Sequence, residues 1–219
     1  MKNTVIFVHG AWHGSWCFNK VIHKFSELES RFGLNVIAKD LPGHGTSKLN
    51  LKPIEITLKT YVDYVKAIIE KEISEESRAI LVGFSMGGIV ISQVAEDLGS
   101  DKISKLIYVS GFIPDKNGSL VEEEKKTEHP SVSLKMTLDE SNSSISIKDK
   151  DAIKNLFYNC CSDEDIEWAI SNFQDQPLRP FLDKVNLGSN FYGIPKVYVK
   201  CKQDNAIHAK DQERIIAEL

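Results

Sequence analysis

Residues Gly83-Phe84-Ser85-Met86-Gly87 join two segments of opposite periodicity. Before them, Ala79-Ile80-Leu81-Val82 is a short apolar run, as in a buried strand. After them, Gly88 to Glu96 reads as helix. A chain that passes from strand to helix so quickly must turn sharply, and a serine at the apex is lifted out of the sheet with its hydroxyl at the helix N-terminus. Glycines suit the flanks because a Cβ at either place would collide with neighbouring chain. The pattern predicts an α/β sheet with a nucleophilic Ser85; a merely structural serine in a glycine-rich turn is the alternative.

Five apolar runs read as parallel strands: Val5 to Val8, Leu34 to Ala38, Ala79 to Val82, Lys105 to Val109 and Lys196 to Lys200. Helical segments lie between them; Tyr61, Val62, Val65, Ile68 and Ile69 recur as one apolar helix face does. Strands alternating with helices imply a doubly wound, mostly parallel sheet, here one α/β domain over residues 1–219. Ligands in such sheets bind beyond the carboxyl ends of the strands. Those loops hold His9 to Trp12, Asp40 to Gly45, the serine turn, Ser110 to Phe112 and Cys201 to Asp204. Residues 113–190 depart from the pattern. Lys-, Glu- and Ser-rich sequence from Asp115 to Asp151 precedes helical stretches over Asp151 to Tyr158 and Ser162 to Phe173. So long an insertion is read as a cap over the strand ends, with a solvated excursion as the alternative.

A net charge of −4, from 27 basic and 31 acidic residues, leaves no basic footprint for nucleic acid and no polybasic membrane patch. No apolar run approaches the length of a membrane span. The first strand begins almost at Met1, which leaves no room for a signal peptide. Cys17, Cys160, Cys161 and Cys201 show no metal spacing and read as reduced thiols of a cytoplasmic protein. No cofactor or metal is expected. Oligomeric state is left open, a homodimer included.

A serine hydroxyl needs a base, a group orienting that base, and donors for the oxyanion. The Met86 amide at the helix start is the natural first donor, and the Ala11 amide, in the bend His9-Gly10-Ala11, the second. Asp204, just after the last strand, is the candidate acid; it could instead cap the helix from Ala209 to Glu218, and Asp211 is a less well placed rival. Trp12 and Phe84 are candidate substrate-pocket walls, with a core role equally open. His208 follows Asp204 by four residues and could touch it on a helical turn, but the acid's strand should lie two strands, about 10 Å, from that of Ser85. His9 and His44 read as structural, His13 as a residue that could line the site, His23 as helical, and His129 as part of the polar insertion.

These motifs resemble the α/β-hydrolase superfamily. More narrowly, the chain is similar to the small esterases related to plant methylesterases, salicylate-binding esterases and hydroxynitrile lyases, and to their bacterial relatives. The resemblance is carried by Phe7 to Cys17, Asp40 to Gly45, Gly83 to Gly88, Ile194 to Cys201 and Asp204 to Ile207. In the insertion, Phe157 to Cys161 and Gln176 to Phe181 resemble the bacterial branch. It implies Ser85 as nucleophile, Asp204 as acid, and Ala11 and Met86 as oxyanion donors. It also implies a cofactor-free serine carboxylesterase acting on small apolar esters through an acyl-enzyme. Lyases of this family tend to carry threonine in place of Ala11, which favours ester hydrolysis. Family members continue past the helix matching Ala209 to Leu219 into a further strand, a histidine-bearing loop and a closing helix. The resemblance therefore implies a longer natural protein. It also implies an open edge at Lys196 to Lys200, and weak or no turnover by these 219 residues. A silent small-molecule binding protein and a hydroxynitrile-lyase-type enzyme are the alternatives.

Overall fold

A computed structural model describes residues 3–47, 51–129 and 132–218, apart from the side chains of residues 3 and 26–32. Among the described residues the strands are β1 (Asn3–Val8), β2 (Leu34–Ala38), β3 (Ala79–Phe84), β4 (Ile103–Val109), β5 (Thr137–Asp139), β6 (Ser144–Ser146), β7 (Gln176–Pro177) and β8 (Lys196–Val199). The α-helices are α1 (Asn19–Phe32), α2 (Leu58–Glu72), α3 (Gly87–Lys102), α4 (Leu120–Lys125), α5 (Lys150–Phe157), α6 (Asp163–Asn172), α7 (Arg179–Leu182), α8 (Ser189–Gly193) and α9 (Ala209–Ala217). The five expected strands form one parallel sheet in the order β2-β1-β3-β4-β8.

Alternation along each strand divides the core in two, because successive side chains leave opposite faces of a sheet. Ile6, Val8, Leu81, Leu106 and Tyr108 join the cluster that includes α2 and α3. Val5, Phe7 and Val82 pack with Phe18 and with Ile22 and Phe25 of α1. Helix α2 buries the face Leu58, Tyr61, Val62, Val65 and Ile69, and starts where the Thr57 hydroxyl accepts from the Thr60 amide. Helix α3 is buried through its first half, over Gly87 to Ser92 with Val94 and Ala95. Strand β8 is the outer strand beside β4, and its Val197 and Val199 are 43% and 46% exposed. They stand opposite Ile107 and Val109, so this corner of the sheet is thinly covered.

The long segment between β4 and β8 contains α4 to α8 and a small antiparallel sheet, β5-β6-β7. Helices expected over Asp151–Tyr158 and Ser162–Phe173 form as α5 and α6. Helix α4 and the β5–β6 pair arise within the charged stretch that gave no periodic signal. Ser119 starts α4 by accepting from the Glu122 amide. The end of the segment lies along the sheet-covering layer: the Asn190 amide donates to the Glu96 carbonyl at 2.9 Å, and the Phe191 N–H to the Glu96 carboxylate at 2.9 Å. No helix among the described residues is long and apolar enough to cross a membrane.

Candidate active site

Ser85 takes φ 53°, the left-handed conformation that a non-glycine residue adopts only at a cost of about 1–2 kcal/mol. The turn is clamped around it. Its N–H donates to the Val109 carbonyl at 3.4 Å, while its carbonyl accepts from Gly88 at 3.0 Å and Phe112 at 3.1 Å. The two motif glycines are where side chains cannot fit. A Cβ on Gly83 would lie 2.7 Å from the Gly87 carbonyl oxygen, and one on Gly87 would lie 2.3 Å from the Val8 carbonyl oxygen. The strand, the turn and α3 thus pack backbone on backbone, and the strained residue left at the apex is the serine.

Two cavities meet at Ser85. The smaller, about 30 Å³, is lined by Ala11, Trp12, Met86, Phe112 and Phe181 among others. Among the described residues, neither the Ala11 nor the Met86 amide donates to a main-chain acceptor. The larger, about 350 Å³, is lined by Phe84, Ser110, Phe157, Gln203 and Asp204 among others. Phe157, Ala206 and Ile207 border both. The sequence-predicted residues Ser85, Ala11, Met86, Trp12, Phe84 and Asp204 therefore surround one paired cavity.

Asp204 sits beyond β8. One carboxylate oxygen accepts from the Ala206 amide at 2.8 Å and the Ile207 amide at 2.9 Å; the other accepts from the Ser110 hydroxyl. Asp204 does not cap α9: His208 does, its Nδ1 facing the Lys210 N–H at 3.4 Å. The turn from Asp204 to His208 is not helical, so the contact on one helical turn that the spacing allowed does not form.

The other histidines are held elsewhere. His9 is fully buried, Nδ1 donating to the Gly10 carbonyl at 2.8 Å and Nε2 accepting from the Leu41 N–H at 2.9 Å. Burial, reinforced by nearby His44, pushes its pKa down to about 3. His13 binds the Ala11 carbonyl at 2.7 Å and the Tyr158 hydroxyl at 2.8 Å, and burial lowers its pKa to about 4. It lines neither cavity, contrary to the expectation that it could, because both ring nitrogens are taken up in bracing the loop behind Ala11. His44, buried edge-on against His9, is likewise lowered to about 4 by burial. Among the described residues no histidine side chain hydrogen-bonds Ser85 or Asp204.

Asp40, at the end of β2, ties two of these loops together. It accepts from the Ser15 amide at 2.7 Å and the Thr46 amide at 2.8 Å. Burial pushes its pKa up, but these hydrogen bonds outweigh it and hold the carboxyl below its ordinary value. Trp12, at φ 62°, is pinned from both sides: its indole donates to the Ile145 carbonyl at 3.0 Å, and its own carbonyl accepts from Gln174 at 3.0 Å. Sequence reasoning gave no separate role to Phe157, which borders both cavities, or to His129, which borders the smaller one with Ser85, and named Ser110 only as part of a strand-end loop.

A family model described as the alpha/beta hydrolase family matches residues 5–219. Methylesterase 2 of Arabidopsis thaliana is 29% identical over 225 residues, covering 97% of this chain and 82% of that protein. A carbendazim hydrolyzing esterase of Nocardioides sp. is 36% identical over 133 residues, covering 61% of this chain and 51% of that protein. The chain spans 55% of a chloroplastic methylesterase 11 relative from Arabidopsis thaliana. A pyrethroid hydrolase structure from Sphingobium faniae superposes with TM-score 0.83 at 21% identity, covering 100% of this chain and 85% of that one. A methylesterase structure from Arabidopsis superposes with TM-score 0.76 at 23% identity, covering 98% and 84%. With the sheet order, the strained serine turn and a family match over almost its whole length, the chain belongs to the alpha/beta hydrolase family.

Proposed function

We propose that this chain carries the nucleophile, oxyanion donors and acid of a serine carboxylesterase for small, apolar esters. The observation that carries the reading is Ser85 at φ 53°, opening on a cavity that also holds the uncommitted Ala11 and Met86 amides. In this reading the Ser85 oxygen adds to the ester carbonyl and gives up its proton. The oxyanion lies against the two amides. The carbonyl then re-forms as the alcohol departs with a proton, leaving an acyl group on Ser85, and water releases the carboxylic acid. Relatives named as methylesterases and as a carbendazim hydrolyzing esterase support ester chemistry. Aromatic walls at Trp12, Phe84 and Phe157 support an apolar substrate. Four free thiols suit a reducing compartment such as the cytoplasm.

No imidazole among the described residues hydrogen-bonds Ser85, so in these 219 residues the proton passes to solvent and turnover is expected to be weak. That same observation favours one second reading, a binding protein that holds an ester or carboxylate without turning it over. The test is hydrolysis of short p-nitrophenyl esters by the chain and by Ser85→Ala, with the intact mass followed for an acyl adduct. A slow rate and an adduct that both vanish in Ser85→Ala support the esterase. Ligand binding with neither rate nor adduct supports the binding protein and overturns the esterase. A cyanohydrin cleaved in a Ser85-dependent way, with esters untouched, would point to the lyase chemistry of a relative named alpha-hydroxynitrile lyase.

A further inference from the structure

Away from Ser85, the loop after α4 and the start of α9 bring together His129, His208 and Asp211, with one potential ligand atom of each lying within 4.8 Å of the others. Asp211 is only 3% exposed. Its Oδ1 accepts from the Glu128 amide at 3.0 Å, but its Oδ2 is buried and receives no hydrogen bond. A buried carboxylate oxygen left unpaired is costly, so a native site generally supplies it a partner. The nearby cations do not serve: Lys126 and Arg214 pair with Glu123, at 2.7 and 3.6 Å, and no lysine or arginine among the described residues pairs with Asp211. What Oδ2 faces is Nδ1 of His129, 3.6 Å away.

That separation is too long for a hydrogen bond. It is close to the roughly 3.4 Å that two ligands about 2.1 Å from a tetrahedral ion keep between them. The His208 ring stacks on that of His129 at 4.2 Å and 23°. Its Nδ1 lies 3.4 Å from the Lys210 N–H, a long contact that this nitrogen would give up to ligate an ion, with the ring proton then on Nε2. The His129 side chain is 41% exposed, which opens a route from solvent. Two imidazoles and one carboxylate suit a borderline ion, whereas calcium and magnesium prefer oxygen sets.

We propose that His129, His208 and Asp211 form a binding site for a divalent ion of the zinc class. Three protein ligands leave a position for water or a ligand oxygen. His129 also borders the smaller cavity with Ser85, so a bound ion ties the loop after α4 to α9 at the edge of the candidate active site. The site stands apart from the esterase reading and would survive its failure.

The test is calorimetric titration of zinc chloride into the full chain carrying Cys160→Ser and Cys161→Ser, which removes the two exposed thiols as competing ligands. One saturable equivalent is expected, weakened at least about tenfold by His129→Gln and by His208→Gln. Cobalt in place of zinc should give the intense visible bands of a tetrahedral site, lost in the same variants. His129→Gln changes a partly exposed side chain, so it reports on the site even if Asp211→Asn unfolds the chain. The absence of saturable binding, or one equivalent that neither histidine substitution weakens, overturns the proposal.

Discussion

The backbone contact beneath the serine turn makes Gly87→Ala the most informative single substitution. The added Cβ would lie 2.3 Å from the Val8 carbonyl oxygen and 3.0 Å from that of His9. Ordinary carbon–oxygen contact is roughly 3.4 Å, so about 1 Å must be found by moving α3 away from the end of β1. Both opposing atoms are main chain, and no side-chain rotamer can relieve them. That places the overpacking cost near the upper end of its usual range, about 3 kcal/mol. Alanine returns about 1 kcal/mol through helix propensity. The net loss is about 2 kcal/mol, which in a chain of this size lowers the melting temperature by about 4–8 °C. The strand end that must yield leads directly into Ala11, so residual ester turnover should fall further than stability does; a displacement near 1 Å at a reacting centre costs about 100-fold. Gly193→Ala is the control: nothing lies within 4 Å of its added Cβ, and its melting point should hardly move. Thermal unfolding by circular dichroism and p-nitrophenyl acetate hydrolysis on the three proteins decide the matter. A Gly87→Ala chain that melts and reacts like its parent would refute the claim that strand and helix pack backbone on backbone here.

Two further outcomes are expected. Burial holds His9 near a pKa of about 3 and His13 and His44 near about 4, whereas an unfolded histidine titrates at about 6.5. Between those limits the unfolded chain binds the extra protons. Stability is therefore full above about pH 6.5 and is lost as pH falls toward 4, each histidine contributing on the order of 2 kcal/mol of loss by pH 5. Urea midpoints that are equal at pH 7 and pH 5 would contradict this. Phe157 borders both cavities and packs on Trp12 at 6.0 Å and Phe173 at 5.7 Å. Phe157→Ala should cost about 3 kcal/mol and shift kcat/KM toward longer acyl chains, read from a series of p-nitrophenyl esters; an unchanged chain-length profile would count against the cavity as the acyl pocket.

What could be read from the sequence was what depends on near neighbours. The short apolar runs became the five parallel strands, and the Gly-x-Ser-x-Gly turn became the strained apex, because both are decided within a few residues. Position along the chain also placed Asp204 in the loop after the last strand. The failures concern partners. Asp204 and His208 are close in sequence yet do not touch, because α9 starts only at Ala209. Helix α4 is six residues long, too short for a periodic signal, and its glutamates fell in a charged stretch that gave no hint that Glu123 is fully buried. His129 and Asp211 are 82 positions apart, so no window could join them. Such pairings are set by strand order. Because β3, β4 and β8 are consecutive in the sheet, the loops after them bring Ser85, Ser110 and Asp204 to three adjacent strand ends. The Ser110 hydroxyl on the Asp204 carboxylate, spanning 94 positions, is the direct product of that order. A strand list without its order predicts which loops carry chemistry; only the order decides which of them can share a proton.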